Sequence, residues 1–229
     1  MNGKQELISR GEISVEGRYV DASNATLFAN VTRGDQVAQV IYKPIAGERP
    51  LWDFPDGNLA SREVAAYTLS NALGFDLVPY TILRDGPFGP GMVQEWIDID
   101  PDFDVVELAN SDDPKIREMA LFDAIVNNTD RKYGHILVDR ANSIFGCDHG
   151  VTFHVDPKLR TVIWQFAGQP FTEVEIAAIN NALAAADSLH ELITADEISA
   201  LKARCDNYLM EGTFPFPSED WPAVPWPPF

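Results

Sequence analysis

The sequence predicts an α+β fold of two lobes, with a β-rich N-terminal lobe followed by a mainly helical C-terminal lobe. Strand-like runs dominate the first half of the chain, and helical periodicity dominates the second half. A strand-like linker at 92–99 joins the halves, and no internal repeat interrupts this order. We therefore expect an N-lobe at 1–97, a C-lobe at 98–210 and a tail at 211–229.

The N-terminal half is typical of a hairpin, a helix and a second hairpin. The runs TLFANVT (26–32) and VAQVIYK (37–43) are β-rich and flank the turn signal RGDQ. The segment ASREVAAYTLSNALG (60–74) has apolar residues at helical spacing and ends at Gly74, which favours a glycine-capped helix. The stretch YTILRDGPFGPGMVQEWIDI (80–99) predicts two strands around a Gly/Pro turn.

The C-terminal half begins with a predicted buried helix at 112–128, where Asp113 is the N-cap and Pro114 the first helical residue. Two short strands, HILVD and SIFGC, follow it. The segments 172–185 and 194–210 predict further helices. The tail FPFPSEDWPAVPWPPF has six prolines, which excludes a helix and favours extended chain.

Composition limits the partners. Thirty-five acidic against seventeen basic side chains give a formal net charge of −18, which repels phosphate backbones and anionic lipid surfaces. We expect neither nucleic acid nor stable membrane association. Signal-like and membrane-length apolar runs are missing, and Cys147 and Cys205 lack disulfide or zinc spacing, so a reduced, cytoplasmic protein is expected.

The segment NNTDRKYGHILVDRANSIFGCDHG (127–150) places its polar residues in turns around two short strands. Asp130 directly follows the buried helix, His135 comes five residues later and Asp148 eighteen residues later. Phosphoryl transfer needs a carboxylate that orients the attacking hydroxyl, metal ligands, and a cation on the phosphates. We interpret Asp130 as that carboxylate and Asp148 and His135 as metal ligands. The plain structural alternative is that these carboxylates cap turns.

Upstream residues are candidates for the cation and for phosphate contacts. Lys43 ends a strand, and Glu63 lies in the first turn of the 60–74 helix. Glu63 either pairs with Lys43 or is simply favoured by the helix dipole. The loop DASNATLF offers Ser23 and Asn24 as donors to phosphate oxygens.

The linker MVQEWIDI is the candidate adenine-binding segment, through backbone groups of Glu95, Trp96 and Ile97. Trp96 is also explained by packing. Cys147 is most simply a small apolar residue beneath the nucleotide. The absence of a G-x-x-x-x-G-K-[ST] segment excludes a P-loop enzyme.

These residues resemble the phosphoinositide-kinase-like branch of the protein-kinase superfold. More narrowly, the sequence resembles an uncharacterised actinobacterial family related to phosphatidylinositol 3- and 4-kinases, through YKPIAGERPLWDFPDG, REVAAY, DGPFGPG and NTDRKYGH. This match spans nearly the whole chain. The loop NTDR is also similar to the catalytic loop of HipA-type serine kinases. The resemblance implies a two-lobed protein-kinase-like fold that uses ATP with Mg²⁺ or Mn²⁺.

The resemblance also implies roles for individual residues. Lys43 would bind phosphate and pair with Glu63, Asp130 would orient the substrate hydroxyl, and Asp148 would hold metal. The family has an asparagine as metal ligand five residues after the catalytic aspartate, where this chain has His135. Because imidazole suits Mn²⁺ better than Mg²⁺, we expect a preference for Mn²⁺, unless His135 bonds a backbone carbonyl instead.

Two functions fit these patterns. The first is an ATP-dependent phosphotransferase whose acceptor is a protein or small-molecule hydroxyl, since only Lys158 and Arg160 are basic between 150 and 170 and a lipid headgroup calls for more. The second is a nucleotide-binding or inactive pseudokinase that acts through protein contacts. The histidine at 135, the missing glycine-rich loop and the Pro/aromatic tail favour the second.

Overall fold

A computed structural model of the protein describes residues 2–19 and 24–229 and confirms the predicted α+β order of a β-rich lobe followed by a helical lobe. The elements of the described chain are α1 (Gly3–Arg10), β1 (Glu12–Arg18), β2 (Leu27–Arg33), β3 (Gln36–Pro44), α2 (Leu59–Leu73), β4 (Thr81–Gly86), β5 (Gly89–Glu95), α3 (Val105–Ala109), α4 (Pro114–Val126), β6 (Ile136–Val138), β7 (Ile144–Gly146), α5 (Glu173–Ala185) and α6 (Ala195–Glu211).

The N-lobe is built on an antiparallel five-stranded sheet in the order β1-β2-β3-β5-β4. Both predicted hairpins are present, since β2 pairs with β3 and β4 pairs with β5. In the register between β3 and β5, Lys43 lies opposite Met92. The strand that ends at the candidate lysine therefore neighbours the strand that leads into the linker.

Local capping explains where the two best-predicted helices begin and end. The side chain of Asn58 accepts the Ser61 N–H at the start of α2, and Gly74 ends that helix in the left-handed conformation with φ 74°. Helix α4 has the predicted N-cap at Asp113, whose side chain accepts an N–H of the first turn, and Pro114 at its first position.

The larger of two apolar cores joins helix α2 to the C-lobe helices. Leu69 of α2, Phe122 of α4, Ile179 of α5 and Leu201 of α6 are all fully buried in it. The smaller core lies under the sheet. Helix α2 thus comes from the N-terminal half of the chain but packs with the C-lobe, and the boundaries at 97 and 210 stay predictions.

The proline-rich tail packs on the C-lobe without helix, as its composition predicts. Phe214 is buried in the larger core. Ala223 accepts the backbone N–H of Thr161 at 3.1 Å, and Pro228 accepts that of Tyr133 at 2.9 Å. Within the described part of the chain, no helix has the length and apolar character needed to cross a membrane.

Candidate active site

Lys43 lies at the junction of the lobes, between two carboxylates from different elements. Its Nζ is 2.7 Å from Oε1 of Glu63 on α2 and 2.7 Å from Oδ1 of Asp148 in the loop after β7. Burial alone would lower the pKa of the Lys43 ammonium, but the charges of Asp148 and Glu63 outweigh it and raise the pKa. The lysine therefore stays charged, and Glu63 is an ion-pair partner and not merely a dipole-stabilised surface carboxylate.

Glu63 also connects helix α2 to the loop that carries Asp148. Its second oxygen, Oε2, accepts the backbone N–H of His149 at 2.9 Å. Burial raises the pKa of the Glu63 carboxyl, while the adjacent Lys43 opposes that rise. One buried carboxylate thus fixes both the lysine and the backbone directly after Asp148.

Asp148 has a strained backbone at a position open to the cleft. Its φ of 59° lies in the left-handed region, which costs a non-glycine residue about 1–3 kcal/mol and persists only where the surroundings impose it. The charge of Lys43 holds the pKa of Asp148 well below its usual range. Its side chain remains half exposed, so an ionised carboxylate faces the cleft where a ligand would bind.

His135, the second predicted metal ligand, lies beside Asp148, and its role as a ligand stays a prediction. Nε2 of His135 is 3.6 Å from Oδ2 of Asp148. Burial lowers the pKa of the imidazole, which favours its neutral form. Its Nδ1 is buried and has no hydrogen-bond partner among the described atoms, so the alternative bond from the ring to a backbone carbonyl is not formed.

A divalent ion fits His135 and Asp148 only if phosphate or water completes its shell. Across residues 2–19 and 24–229, no group of three or more His, Cys, Asp or Glu side chains is arranged to hold a metal. Mg²⁺ in phosphotransferases ordinarily has one or two protein ligands, with phosphate and water oxygens as the rest. This donor pair therefore suits a nucleotide-borne ion better than a permanent metal centre.

Asp130 lies in the loop that follows helix α4. Asn127 ends the helix in the left-handed conformation with φ 52°, and Asn128 accepts the backbone N–H of Asp130 at 3.0 Å. Burial raises the pKa of Asp130, and the charge of Lys132 opposes that rise. Nζ of Lys132 is 3.3 Å from Oδ2 of Asp130. Sequence reasoning missed Lys132, although a basic residue two positions after the loop aspartate was a usable signal.

A buried polar network holds the two loops together, and sequence reasoning missed it as well. Arg131 pairs with Asp123 of α4 at 2.8 Å, and both side chains are fully buried. The same guanidinium donates to the carbonyl of Cys147 at 3.0 Å and lies 2.7 Å from Nε2 of His149. Asn128 also donates to Asp123 at 2.9 Å. The available signal was Asp123 inside the otherwise apolar run from Met119 to Val126.

Two cavities meet at Lys43 and Asp148, which line both. The first, of about 390 Å³, lies between the lobes and is mostly apolar, and its lining includes all three linker residues and Cys147. Burial raises the pKa of the Cys147 thiol to about 12, which suits an inert packing residue. The second, of about 270 Å³, contains Asp130. We call them the apolar cavity and the polar cavity.

The predicted adenine linker uses most of its N–H donors internally. Glu95 donates to the carbonyl of Tyr80 at 2.8 Å, and Trp96 donates to that of Gln39 at 3.1 Å. In the described chain, Ile97 is the linker residue of these three whose N–H has no backbone acceptor. It is the donor that remains for a nucleotide.

Aromatic contacts support the packing explanation for Trp96. Its ring stacks on Tyr19 with centroids 6.4 Å apart and meets the edge of Phe28 at 5.1 Å. Trp96 nevertheless lines the apolar cavity, so packing and a nucleotide contact are compatible.

The predicted phosphate loop lies only partly within the described residues. Ser23 lies outside the described residues. Asn24 lines the polar cavity, and its Oδ1 accepts the N–H of Arg49 at 2.9 Å. Asn24 is therefore placed on the Asp130 side of Lys43, away from the linker.

A β-sheet lobe is followed by a helical lobe, and Lys43 lies at their junction beside Glu63 and Asp148. This two-lobed arrangement is that of a protein-kinase-like fold. The structure superposes on that of the Golgi casein kinase with a TM-score of 0.57, at 11% identity, over 90% of this chain and 72% of that chain. The Helicobacter pylori proinflammatory kinase CtkA matches at a TM-score of 0.48 and 12% identity, over 88% of this chain and 93% of that one. The first likeness confirms the predicted fold.

In sequence, the chain is 41% identical to Protein Rv2133c of Mycobacterium tuberculosis over 263 aligned positions, which cover 97% of this chain and 94% of the relative. The chain therefore belongs to the family of Protein Rv2133c. No protein-family model matches it. The narrower resemblances to phosphatidylinositol kinases and to HipA-type kinases stay predictions.

Proposed function

We propose that this protein is an ATP-dependent phosphotransferase that acts on a hydroxyl group. The observation that carries this proposal is the position of Nζ of Lys43, 2.7 Å from both Glu63 and Asp148, at the point where the apolar and polar cavities meet. A fixed cation at such a junction suits the phosphates of a nucleotide whose base enters the apolar cavity.

In this proposal the nucleotide enters from the linker side. The base occupies the apolar cavity above Cys147 and accepts a hydrogen bond from the free N–H of Ile97. Lys43 binds the phosphate oxygens. A Mg²⁺ or Mn²⁺ ion held by His135 and Asp148 would supply further positive charge to those phosphates.

Asp130 then acts on the acceptor. Its carboxylate accepts the proton of the attacking hydroxyl, whose oxygen bonds to the terminal phosphorus as the bond to the ADP oxygen breaks. Because burial raises the pKa of Asp130, this carboxylate is a stronger base than an exposed aspartate. Lys132, 3.3 Å away, is placed to neutralise the carboxylate or the transferred group.

The acceptor in this proposal is a protein or small-molecule hydroxyl. A polyphosphorylated lipid headgroup requires several cations beside the catalytic aspartate. Arg160 is the basic side chain that lines the polar cavity in addition to Lys43, whereas Lys158 is buried against Asp53 and His154. The net charge of −18 opposes an anionic membrane as well.

Calorimetric titration with ATP in Mg²⁺, and separately in Mn²⁺, tests the proposal. We expect metal-dependent binding that Asp148→Asn abolishes, because the variant keeps the shape of the side chain and removes the charge that holds the ion. Asp206→Asn, on helix α6 and outside both cavities, is the matched control and should bind like the parent protein. Failure of the parent protein to bind ATP with either metal would refute the phosphotransferase.

An inactive nucleotide-binding protein is the second candidate, and His135 at the asparagine position is the observation that favours it. Binding of ATP without any turnover, in the presence of acceptors and of either metal, would support this second candidate. Release of ADP that Asp130→Asn lowers while ATP affinity stays unchanged would exclude it.

A further inference from the structure

The polar cavity contains several charged side chains, and nearly all of them are already paired. Lys43 is held by two carboxylates, Asp130 by Lys132, and Asp53 lies 3.5 Å from Lys158. Glu48 accepts two backbone N–H groups at the start of α2, each at 2.8 Å. Each of these carboxylates is therefore engaged by a cation or by backbone N–H groups of the protein itself.

Arg160 is the exception. Its guanidinium forms no hydrogen bond or ion pair with any residue in the described part of the chain, and its Nε is buried without a partner. A desolvated donor without an acceptor costs about 1–3 kcal/mol. Such a group is typical of a site that a ligand completes.

The backbone of Arg160 is fixed against the loop that carries Asp130. The N–H of Arg160 donates to the carbonyl of Asn128 at 2.9 Å, and its carbonyl accepts the N–H of Arg131 at 3.1 Å. These bonds flank Asp130 on both sides. The main chain of Arg160 is thus fixed relative to the proposed base, so its guanidinium extends into the cavity from an anchored position beside Asp130.

The location of Arg160 separates it from the nucleotide base. It lines the polar cavity and not the apolar one, whereas Lys43 and Asp148 line both. If the phosphates lie at Lys43, a group that contacts Arg160 lies on the far side of them, with Asp130. Guanidinium groups bind carboxylate and phosphate through two parallel hydrogen bonds.

We propose that Arg160 binds an anionic group of the acceptor, and that the acceptor is a small hydroxylated molecule with one carboxylate or phosphate. This rests on the phosphotransferase proposed above. One unpaired cation matches one anionic group. The cavity of about 270 Å³, which Leu51 and Phe54 of the segment before α2 also line, suits a small molecule better than a polypeptide.

Calorimetry on protein loaded with a non-hydrolysable ATP analogue and Mn²⁺ tests this assignment. The probes are glycerate, glycerol 3-phosphate and glycerol, which share hydroxyl groups and differ in charge. We expect the two anions to bind the parent protein and to bind Arg160→Gln about tenfold more weakly or worse, whereas glycerol binds neither. Arg160→Lys keeps the charge but cannot form two parallel hydrogen bonds, so its affinity for the anions should lie between those of the parent protein and Arg160→Gln.

Two controls accompany these variants. The side chain of Arg160 has no described partner to lose, and its buried Nε lacks an acceptor, so Arg160→Gln should not lower the thermal midpoint of the parent protein. Arg140→Gln removes an exposed arginine near Asp98 and should leave anion binding unchanged. The affinity for the ATP analogue should be the same in all variants.

The outcomes separate this inference from the proposed function. Equal anion binding with and without Arg160, or no anion binding at all, would overturn the inference. A loss of ATP-analogue affinity in Arg160→Gln would assign Arg160 to the nucleotide and would also overturn the inference. The inference would fail as well if an acidic serine peptide bound in an Arg160-dependent way and neither small anion bound. Arg160-dependent anion binding without any ATP binding would refute the phosphotransferase and leave the anion site standing.

Discussion

Arg131 and Asp123 form a fully buried ion pair directly behind the loop that carries Asp130, with Nη2 of the arginine 2.8 Å from Oδ1 of the aspartate. The same arginine contacts the loop that carries Asp148 through the carbonyl of Cys147. Burial lowers and Asp123 raises the pKa of Arg131, and the net effect is a rise, so the guanidinium remains charged. One charge pair therefore fixes the relative position of both candidate catalytic loops.

Breaking this pair should destabilise the protein strongly. Asp123→Ala leaves a buried guanidinium without its counter-charge, which costs about 3–5 kcal/mol of the free energy of unfolding. Urea denaturation measures the change. The control is Asp187→Ala, which breaks an exposed pair with Lys202 and should cost about 1 kcal/mol or less. Equal losses in the two variants would contradict the role of the buried pair.

Removing the charge of Glu63 should impair use of ATP. Glu63→Gln keeps the side-chain shape but leaves Lys43 paired with Asp148 alone, so the lysine competes with the metal for that carboxylate. We expect kcat/KM for ATP to fall about 10–100-fold, which steady-state kinetics measures. Glu118→Gln, which breaks a surface pair with Lys115, should leave kcat/KM unchanged. An unimpaired Glu63→Gln would show that this ion pair is only structural.

Replacing His135 should change the metal preference. His135→Asn substitutes an oxygen ligand for a nitrogen ligand beside Asp148, so the ratio of Mn²⁺ to Mg²⁺ affinity should fall about tenfold or more. Titration of the nucleotide in each metal gives this ratio. His190→Asn, at an exposed position in the C-lobe, is the control. An unaltered ratio would mean that His135 is not a ligand.

The pH profile should report on Asp130. Burial raises the pKa of Asp130, and the charge of Lys132 partly offsets this rise. Because Asp130 must be ionised to accept a proton, turnover should decline as pH falls through this pKa. Lys132→Met removes the opposing charge, so the acid limb of kcat/KM should move to higher pH. If the acid limb lay at the same pH in both proteins, the limb would belong to a group other than Asp130. Lys115→Met is the control and should leave the acid limb in place.

Local patterns predicted the elements well, and long-range pairing explains most of what they missed. The left-handed cap at Gly74 and the Asp113–Pro114 start were readable because caps and turns depend on neighbouring residues. Strand β1 was not predicted, because it lies at the sheet edge and Ile13 is its single buried residue, so its sequence shows little apolar alternation. The short helix α1 carries no comparable apolar stripe, with Leu7 and Ile8 as its buried residues.

The sequence predicted which residues belong to the candidate site better than it predicted how they contact one another. The order of Lys43, Glu63, Asp130 and Asp148 along the chain suggested their chemistry, but their contacts depend on how the sheet lobe meets the helical lobe. Arg160 was identifiable from the sequence only as one of two basic residues between 150 and 170. Its significance comes from the pairing of every charge around it, which only the folded chain reveals.

The tail has a consequence for how the protein matures on the ribosome. The N–H groups of Tyr133 and Thr161 find their acceptors in Pro228 and Ala223, which are synthesised much later. At translation rates of roughly 5–20 residues per second, the loop beside Asp130 waits several seconds for these partners. Two backbone N–H groups beside the candidate site therefore gain their acceptors only after the C-terminal tail has been synthesised.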